Sequence, residues 1–493
     1  MTQGNGPRTP LRLSEPAGRW LLATTAAGSG LVLLESTVVT VALPALDRDL
    51  HASLAGMQWT VNAFTLALSS LILLGGGLGD RFGRRRVYVI GLVGFAAASV
   101  FCGVAPTMGW LIGARTVQGV SAALVVPGSL ALIQGLFAPE DRPRAVGWWS
   151  GLSGVAGAAG PFVGGGLVEA AGWRWIFLVN APVVAVLVVL LVRHVPDSRD
   201  NTETTRRFDV VGALLAAVSL GAITYALVQT DGAATAAVAA TIGAAAFVAF
   251  IYVELRVPAP MLPLGLFASR QFSSANLASF LVYGGLAGLF FLLPIQLQIS
   301  SGYSPLASGL ALVPVILLTL TLSARAGALT VRIGPRIPLV VGAALCALAL
   351  AAAIRIGPEV TYVTDVLPVM VLMGIGVPLI TPPITAAVLN AVPDSRAGIA
   401  SAVNNGVARA AGLVIVAALP VLAGLPQDVA GDPAALNHGF RVSMLICAAL
   451  FLLGGLVVWL GVPAGRLTAA PKRPARKHHR AAPLPQLEPT RPH

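Results

Sequence analysis

Residues 57–105 read MQWTVNAFTLALSSLILLGGGLGDRFGRRRVYVIGLVGFAAASVFCGVA. Two apolar stretches, 57–78 and 87–105, flank a short charged turn, Gly79-Asp80-Arg81-Phe82-Gly83-Arg84-Arg85-Arg86. Each stretch is about as long as a helix needs to cross the bilayer's hydrocarbon core. Neither carries the polar face of a water-facing helix; the apolar residues run in blocks. The pair is therefore read as two antiparallel membrane helices with the charged turn in water.

The same reading extends in both directions. Blocks near 20–46, 57–78, 87–105, 109–137, 145–168 and 174–192 form a first group of six helices. After the polar stretch Arg193 to Arg207 come helices near 209–229 and 233–253, then an interrupted segment, Glu254 to Arg270. A second group of six lies near 274–297, 305–324, 337–356, 365–390, 397–424 and 440–462. The expected chain is an all-α polytopic membrane protein of 14 transmembrane helices. Residues 1–19 precede a six-helix bundle at 20–193. A linker at 194–270 holds two additional helices, a second six-helix bundle spans 271–463, and 464–493 is a basic tail. The apolar stretch from Trp20 to about Leu46 is too long for a cleaved leader, so it is expected to remain as the first membrane helix.

Composition agrees, with 56% hydrophobic and 11% charged residues, whereas soluble domains carry charge on roughly a quarter of theirs. The net charge of +12 does not indicate nucleic acid, because the charges sit between apolar blocks and in the tail. Of 32 lysines and arginines, Arg115 and Arg409 fall within helices. With the N-terminus inside, Arg48, Arg174, Arg355 and Arg441 fall outside and all the others inside. Positive residues collect on the cytoplasmic side, so both termini are expected in the cytoplasm, with the tail Lys472 to Arg480 near anionic lipid. A cysteine introduced at Ser198 should then react with impermeant thiol reagents only when the inner face is accessible; labelling from outside intact cells would overturn this topology. Cys102, Cys346 and Cys447 all lie in apolar blocks and are read as packing residues. No phosphate-binding loop and no His/Cys cluster at metal-ligand spacing occurs. His51, His194, His438, His478, His479 and His493 are placed in loops or the tail. Enzyme chemistry, a metal and a cofactor are not expected.

An internal repeat supports two related halves. GGLGDRFGRR at 76–85 aligns with GALTVRIGPR at 327–336, each placed in the loop after the second helix of its group. Halves of this kind meeting at a central site mark secondary transporters. In the first copy Gly83 permits a tight turn, and Asp80 can pair with arginines across the rim. Gly79, Asp80, Arg81, Gly83, Arg84 and Arg85 are therefore read as a gating loop, with the stronger latch in the first half because Val331 replaces the acid in the second copy.

Charge at membrane depth is costly unless it faces protein or water and finds a partner. Arg115 lies in the fourth helix, and Glu35 in the first is the natural acceptor, so the two are read as a proton-coupling pair. Helix five carries Gly157, Gly160-Pro161 and Gly164-Gly165. Small residues allow close helix contact, and Pro161 frees the carbonyl of Gly157, which points to a hinge or leak-sealing contact. Asn62, Gln118, Gln296, Gln298, Asn404, Asn405 and Arg409 are further polar residues at membrane depth and candidates for a substrate cavity.

These residues resemble those of the fourteen-helix drug:proton antiporters of the major facilitator superfamily. The likeness runs from Leu34-Glu35-Ser36-Thr37 and Ala42-Leu43-Pro44 through the 79–86 turn, Arg115 to Gly119, Gly160-Pro161 and Trp173-Arg174-Trp175-Ile176-Phe177 with Asn180 and Pro182. It continues through Phe208-Asp209, Pro260-Met261-Leu262, Leu297-Gln298, Gly302-Tyr303-Ser304-Pro305 and Gly398 to Arg409. The resemblance implies the major-facilitator fold and proton-coupled export of drugs or antibiotics, with protons and a small-molecule substrate as the only partners besides membrane lipid, by a monomer. The family usually has Asp where Glu35 stands and Asn where Thr40 stands. Competing expectations are a transporter of the same fold dedicated to one natural product, lipid or metabolite, and a membrane sensor that has lost transport.

Overall fold

The computed structural model describes residues 10–195, 209–228, 232–257, 260, 262–393 and 396–465, with the side chains of Leu73 and Asp80 outside the description. Ser198 and the tail Lys472 to Arg480 lie outside the described residues. Thirteen helical spans are long and apolar enough to cross a membrane: α1 Pro16–Leu50, α3 Arg84–Gly103, α4 Met108–Leu136, α5 Arg142–Ala171, α6 Trp175–His194, α7 Val210–Val228, α8 Ala233–Arg256, α9 Arg270–Ser300, α10 Pro305–Ile333, α11 Arg336–Ala353, α12 Tyr362–Leu389, α13 Ala397–Leu422 and α14 Pro433–Gly461. Helix α2, Leu54–Phe82, has 29 residues and completes a set of 14 among the described residues.

The two groups of six pack in the same pattern. In the first, α1 lies on α5, α2 on α4 and α3 on α6; in the second, α9 lies on α13, α10 on α12 and α11 on α14. The linker helices α7 and α8 pair with each other, and α7 rests on both α2 and α13, covering one seam between the groups. The repeat has a backbone counterpart, because Gly83 (φ 100°) ends α2 and Gly334 (φ 86°) ends α10. A side chain would be strained at such angles, so glycine lets each long helix stop and reverse without a loop.

Three expectations need correction. The first repeat is not a loop, since residues up to Phe82 belong to α2 and Gly83 alone breaks the helix. Helix α10 continues to Ile333 instead of ending near 324, with Arg325 exposed on its surface. Helix α14 begins at Pro433, capped by the Asp432 carboxylate accepting from Ala435 N at 2.9 Å, so His438 is helical, as is His194 at the end of α6. Hydropathy marks where lipid ends; helical hydrogen bonding and capping do not stop there.

The halves touch at one end and part at the other. Contacts gather where α1 ends. Leu54 N donates to Gln427 O at 2.9 Å, Gln58 Nε2 to Val416 O at 2.6 Å and Ala417 O at 3.1 Å, Gln298 Nε2 to Val41 O at 2.9 Å, and Leu306 N to Glu169 Oε2 at 3.2 Å. Helix α5 shows the divergence on a single face. Residues 147, 151, 154, 158, 161 and 165 recur every three or four positions and so share one side. A Cβ at Gly165 would meet the α10 backbone, whereas Gly147, Gly151 and Gly154 have nothing within 4 Å. The space between the halves therefore opens toward the end where α1 begins.

Candidate functional site

Glu35 is fully buried inside the first half. Arg115 of α4 donates from Nη1 to Glu35 Oε1 at 2.8 Å, and Asn180 of α6 donates from Nδ2 to Glu35 Oε2 at 2.8 Å. Arg115 is itself 1% exposed. Its Nε donates to the Thr60 carbonyl of α2 at 3.0 Å, its Nη1 also to Gln118 Oε1 at 2.6 Å, and the guanidinium lies over the Phe64 ring at 4.4 Å. Gln118 Nε2 donates in turn to Ser99 Oγ at 2.8 Å. Five helices thus converge on one ion pair. The arginine does not snorkel to the surface, because an acceptor set inside the half replaces the water it would otherwise seek. Both carboxylate oxygens of Glu35 are thus held by donors of the first half, one by Arg115 and one by Asn180.

Another side of α1, turned away from Glu35, faces the second half. Ser36, Thr37 and Thr40 line a cavity of about 180 Å³ between the halves, with Gly157, Ala158 and Pro161 from α5 and Phe290, Leu312 and Ile316 from the second half. The glycine-proline segment of α5 forms one wall. Pro161 has no N–H, so the Gly157 carbonyl lacks its helical donor; Thr37 Oγ1 supplies one at 2.8 Å. A Cβ at Gly160 or Gly164 would collide with Thr37 or Val38 of α1, and one at Gly165 would lie 2.8 Å from Leu306 Cα. The segment therefore packs α1 on one side and the second half on the other.

The remaining candidates separate by place. Gln118 belongs to the Glu35 network. Asn62 is buried on α2, its Nδ2 without a partner among the described residues. Gln296 and Gln298 sit in a π-helical last turn of α9 at the closed end. Gln296 donates to the Ile356 carbonyl at 3.1 Å and to Asn437 Oδ1 at 2.5 Å, while Gln298 clasps Val41 of the first half. Asn404 donates to Ser279 Oγ at 2.7 Å and holds α13 on α9, whereas Asn405 is exposed and bonds back to the Ser401 carbonyl at 3.0 Å. Arg409 is partly exposed midway along α13. At the α2–α3 junction, Gly79 O accepts from Gly83 N at 3.0 Å, Arg81 lies over Phe82 at 5.4 Å, Arg84 Nη1 donates to the Ala131 carbonyl at 3.2 Å and Arg85 Nη1 to the Val195 carbonyl at 2.6 Å; the Asp80 side chain lies outside the described residues.

Sequence reading singled out neither Ser99 nor Asn180 as a site residue, although both complete the Glu35 network. The signal for Asn180 was present in the Trp-Arg-Trp-Ile-Phe stretch that precedes it. For Ser99 there was none, since a serine in an apolar helix looks like any other packing residue.

The sequence profile of the Major Facilitator Superfamily matches residues 25–417. A puromycin resistance protein of Streptomyces alboniger is 37% identical, over 93% of this chain and 96% of its own length. A methylenomycin A resistance protein of Streptomyces coelicolor is 35% identical over 91% of this chain and 92% of its own. The multidrug efflux pump LfrA of Mycolicibacterium smegmatis is 33% identical over 80% and 79%. Among solved structures, a bacterial homologue of the human lysosomal transporter Spinster superposes with a TM-score of 0.66 at 18% identity, covering 91% of this chain and 97% of that one. A D-xylose–proton symporter does so with a TM-score of 0.65 at 18% identity, covering 90% and 98%.

Proposed function

The chain belongs to the Major Facilitator Superfamily and is a multi-pass membrane transporter, and from that premise we propose that it exports drugs, antibiotics or similar amphipathic small molecules in exchange for protons. It works as a monomer in the cytoplasmic membrane, termini in the cytoplasm, driven by the proton gradient without a cofactor. The observation that carries this reading is the chamber between the halves. Its apolar wall from Phe290, Leu312 and Ile316 accepts an apolar body, the hydroxyls of Ser36, Thr37 and Thr40 offer orientation, and the relatives at 33–37% identity are resistance and efflux proteins.

With the N-terminus inside, the open end faces the cytoplasm. The ion pair then represents the stage after Glu35 has released its proton inward and captured Arg115. When the closed end opens outward, the packing of the first half about Glu35 relaxes and admits water; protonation then frees Arg115 and loosens α1 from α4. The carboxylate is sealed within the half, so a substrate in the chamber acts on it through α1 and not by contact. The chamber side of that helix moves with Glu35, which couples occupancy to the proton.

The test uses everted vesicles containing the protein and a panel of amphipathic compounds, puromycin among them. Uphill accumulation of at least one compound, collapsed by an uncoupler, is expected. Accumulation that persists without a pH gradient, or movement of none of the compounds, would refute the reading.

A further inference from the structure

The two buried halves treat their arginines differently. Arg115 has a carboxylate, an amide, a carbonyl and a ring. Arg409 has no hydrogen bond, ion pair or aromatic partner among the described residues. It stands 12 residues after Ala397 and 13 before Leu422 on α13, about 18 Å from either end at 1.5 Å per residue, so its side chain is too short to reach headgroups.

Its direction follows from helical spacing. Residues 398, 402, 405, 409 and 416 recur at three- or four-residue steps or their sum, so they share one face. At the closed end that face meets α2, where Gln58 Nε2 donates to the Val416 and Ala417 carbonyls. Toward the open end it is uncovered: Gly398, Ala402 and Asn405 are exposed, and nothing lies within 4 Å of a Cβ at Gly398. Arg409 stands where α2 and α13 part. One turn onward along antiparallel α2 from the Gln58 contact, Asn62 shares the helix face of Gln58 and is 1% exposed with an unpartnered Nδ2. An unpaired guanidinium therefore stands at the head of the open space, while the orphaned amide of Asn62 is buried on α2 nearer the closed end. The membrane-centre carboxylate, Glu35, is sealed away on two donors. The available charge is positive.

We propose that Arg409 is the docking point for an anionic group, a carboxylate, phenolate or sulfonate, on the exported amphipath. This rests on the export reading above and names its substrate class. Guanidinium presents a planar set of donors that matches such oxyanions, and a cation in a partly dry cleft gains more from an anion than it would in bulk water. The apolar body then lies in the open space between the halves.

The test compares aromatic acids with their uncharged primary amides, starting with biphenyl-4-carboxylic acid and 2-naphthoic acid, in phosphatidylcholine proteoliposomes so that no anionic lipid competes. Wild-type protein should bind and move the acids. Arg409→Gln should weaken binding of the acids tenfold or more, in the range expected for loss of a charge partner, while the amides and a cationic dye such as ethidium change less than twofold, which also shows that the variant is folded. Arg409→Lys should recover part of the loss. An equal fall for acids and amides, undiminished binding of acids by Arg409→Gln, or a wild-type protein that moves amides and cations but no acid would overturn the anion site and leave export standing. A wild-type protein that moves no compound of any class would overturn the export reading itself.

Discussion

Glu35→Gln is expected to abolish uphill export under an imposed pH gradient while leaving substrate affinity within a few-fold of wild type. The substitution keeps the shape but removes the ionisable proton, and the affinity survives because Glu35 does not line the chamber. Folding should tolerate the change. The new amide can still accept from Arg115, and Asn180 can turn its amide so that Oδ1, which has no partner among the described residues, accepts from the new donor. A weakened partner for a buried guanidinium still costs stability, on the order of 1–3 kcal/mol. Full removal of one partner, as in Glu35→Ala, should cost about 3–5 kcal/mol because Arg115 is then left buried and unpaired. Glu35→Asp keeps the acid on a shorter stem and should retain part of the coupled activity. The measurement is pH-gradient-driven accumulation in proteoliposomes beside equilibrium binding in detergent. Uphill transport by Glu35→Gln at the wild-type rate would remove Glu35 from the coupling.

Gly165→Leu should hold the closed end apart and reduce transport tenfold or more without unfolding the protein. A Cβ there would lie 2.5 Å from Pro305 O and 2.8 Å from Leu306 Cα, and backbone cannot yield as a side-chain tip can. Overpacking typically costs about 1–3 kcal/mol, and here only the state in which α5 meets α10 bears it. Two conformations separated by a few kcal/mol respond to such a bias with a large shift in population. Cysteines replacing Ala55 and Gln427, whose backbone N and side-chain Oε1 are 3.2 Å apart, report closure by cross-linking. The native Cys102, Cys346 and Cys447 are all buried and should not interfere. Cross-linking should fall sharply in Gly165→Leu and persist in Gly151→Leu, which alters the same face of α5 where nothing lies within 4 Å. Undiminished cross-linking in Gly165→Leu would show that this contact does not control closure.

How far each feature could be read from sequence follows from the range over which it is encoded. Helix number and most boundaries come from runs of about twenty residues, because a bilayer imposes the same requirement on every span: backbone groups satisfied within the segment and apolar side chains outward. The halves were legible through the 76–85 and 327–336 repeat, whose Gly83 and Gly334 both take a positive φ. The pairing of Glu35 with Arg115 was also within reach, since each charge at membrane depth demands a partner and few were on offer.

Which way each polar residue turns was not legible. On a water-soluble helix the apolar stripe reveals the buried face; on these helices every face is apolar, so Glu35 and its neighbours Ser36 and Thr37 look alike in sequence. Only packing sends Glu35 into the first half, toward Arg115 and Asn180, and the two hydroxyls toward the chamber. The same holds for Gln298 and Arg409. Both are polar residues deep in apolar helices, yet tertiary structure sets one across the closed seam on Val41 and leaves the other unpaired where the seam opens. The sequence by itself therefore determined that this chain is a fourteen-helix, two-half membrane protein with a charge pair inside its first half, because lipid acts on each segment separately. The tertiary structure alone decided which residues face the passage and which lock the halves together, because those roles depend on contacts between helices far apart along the chain.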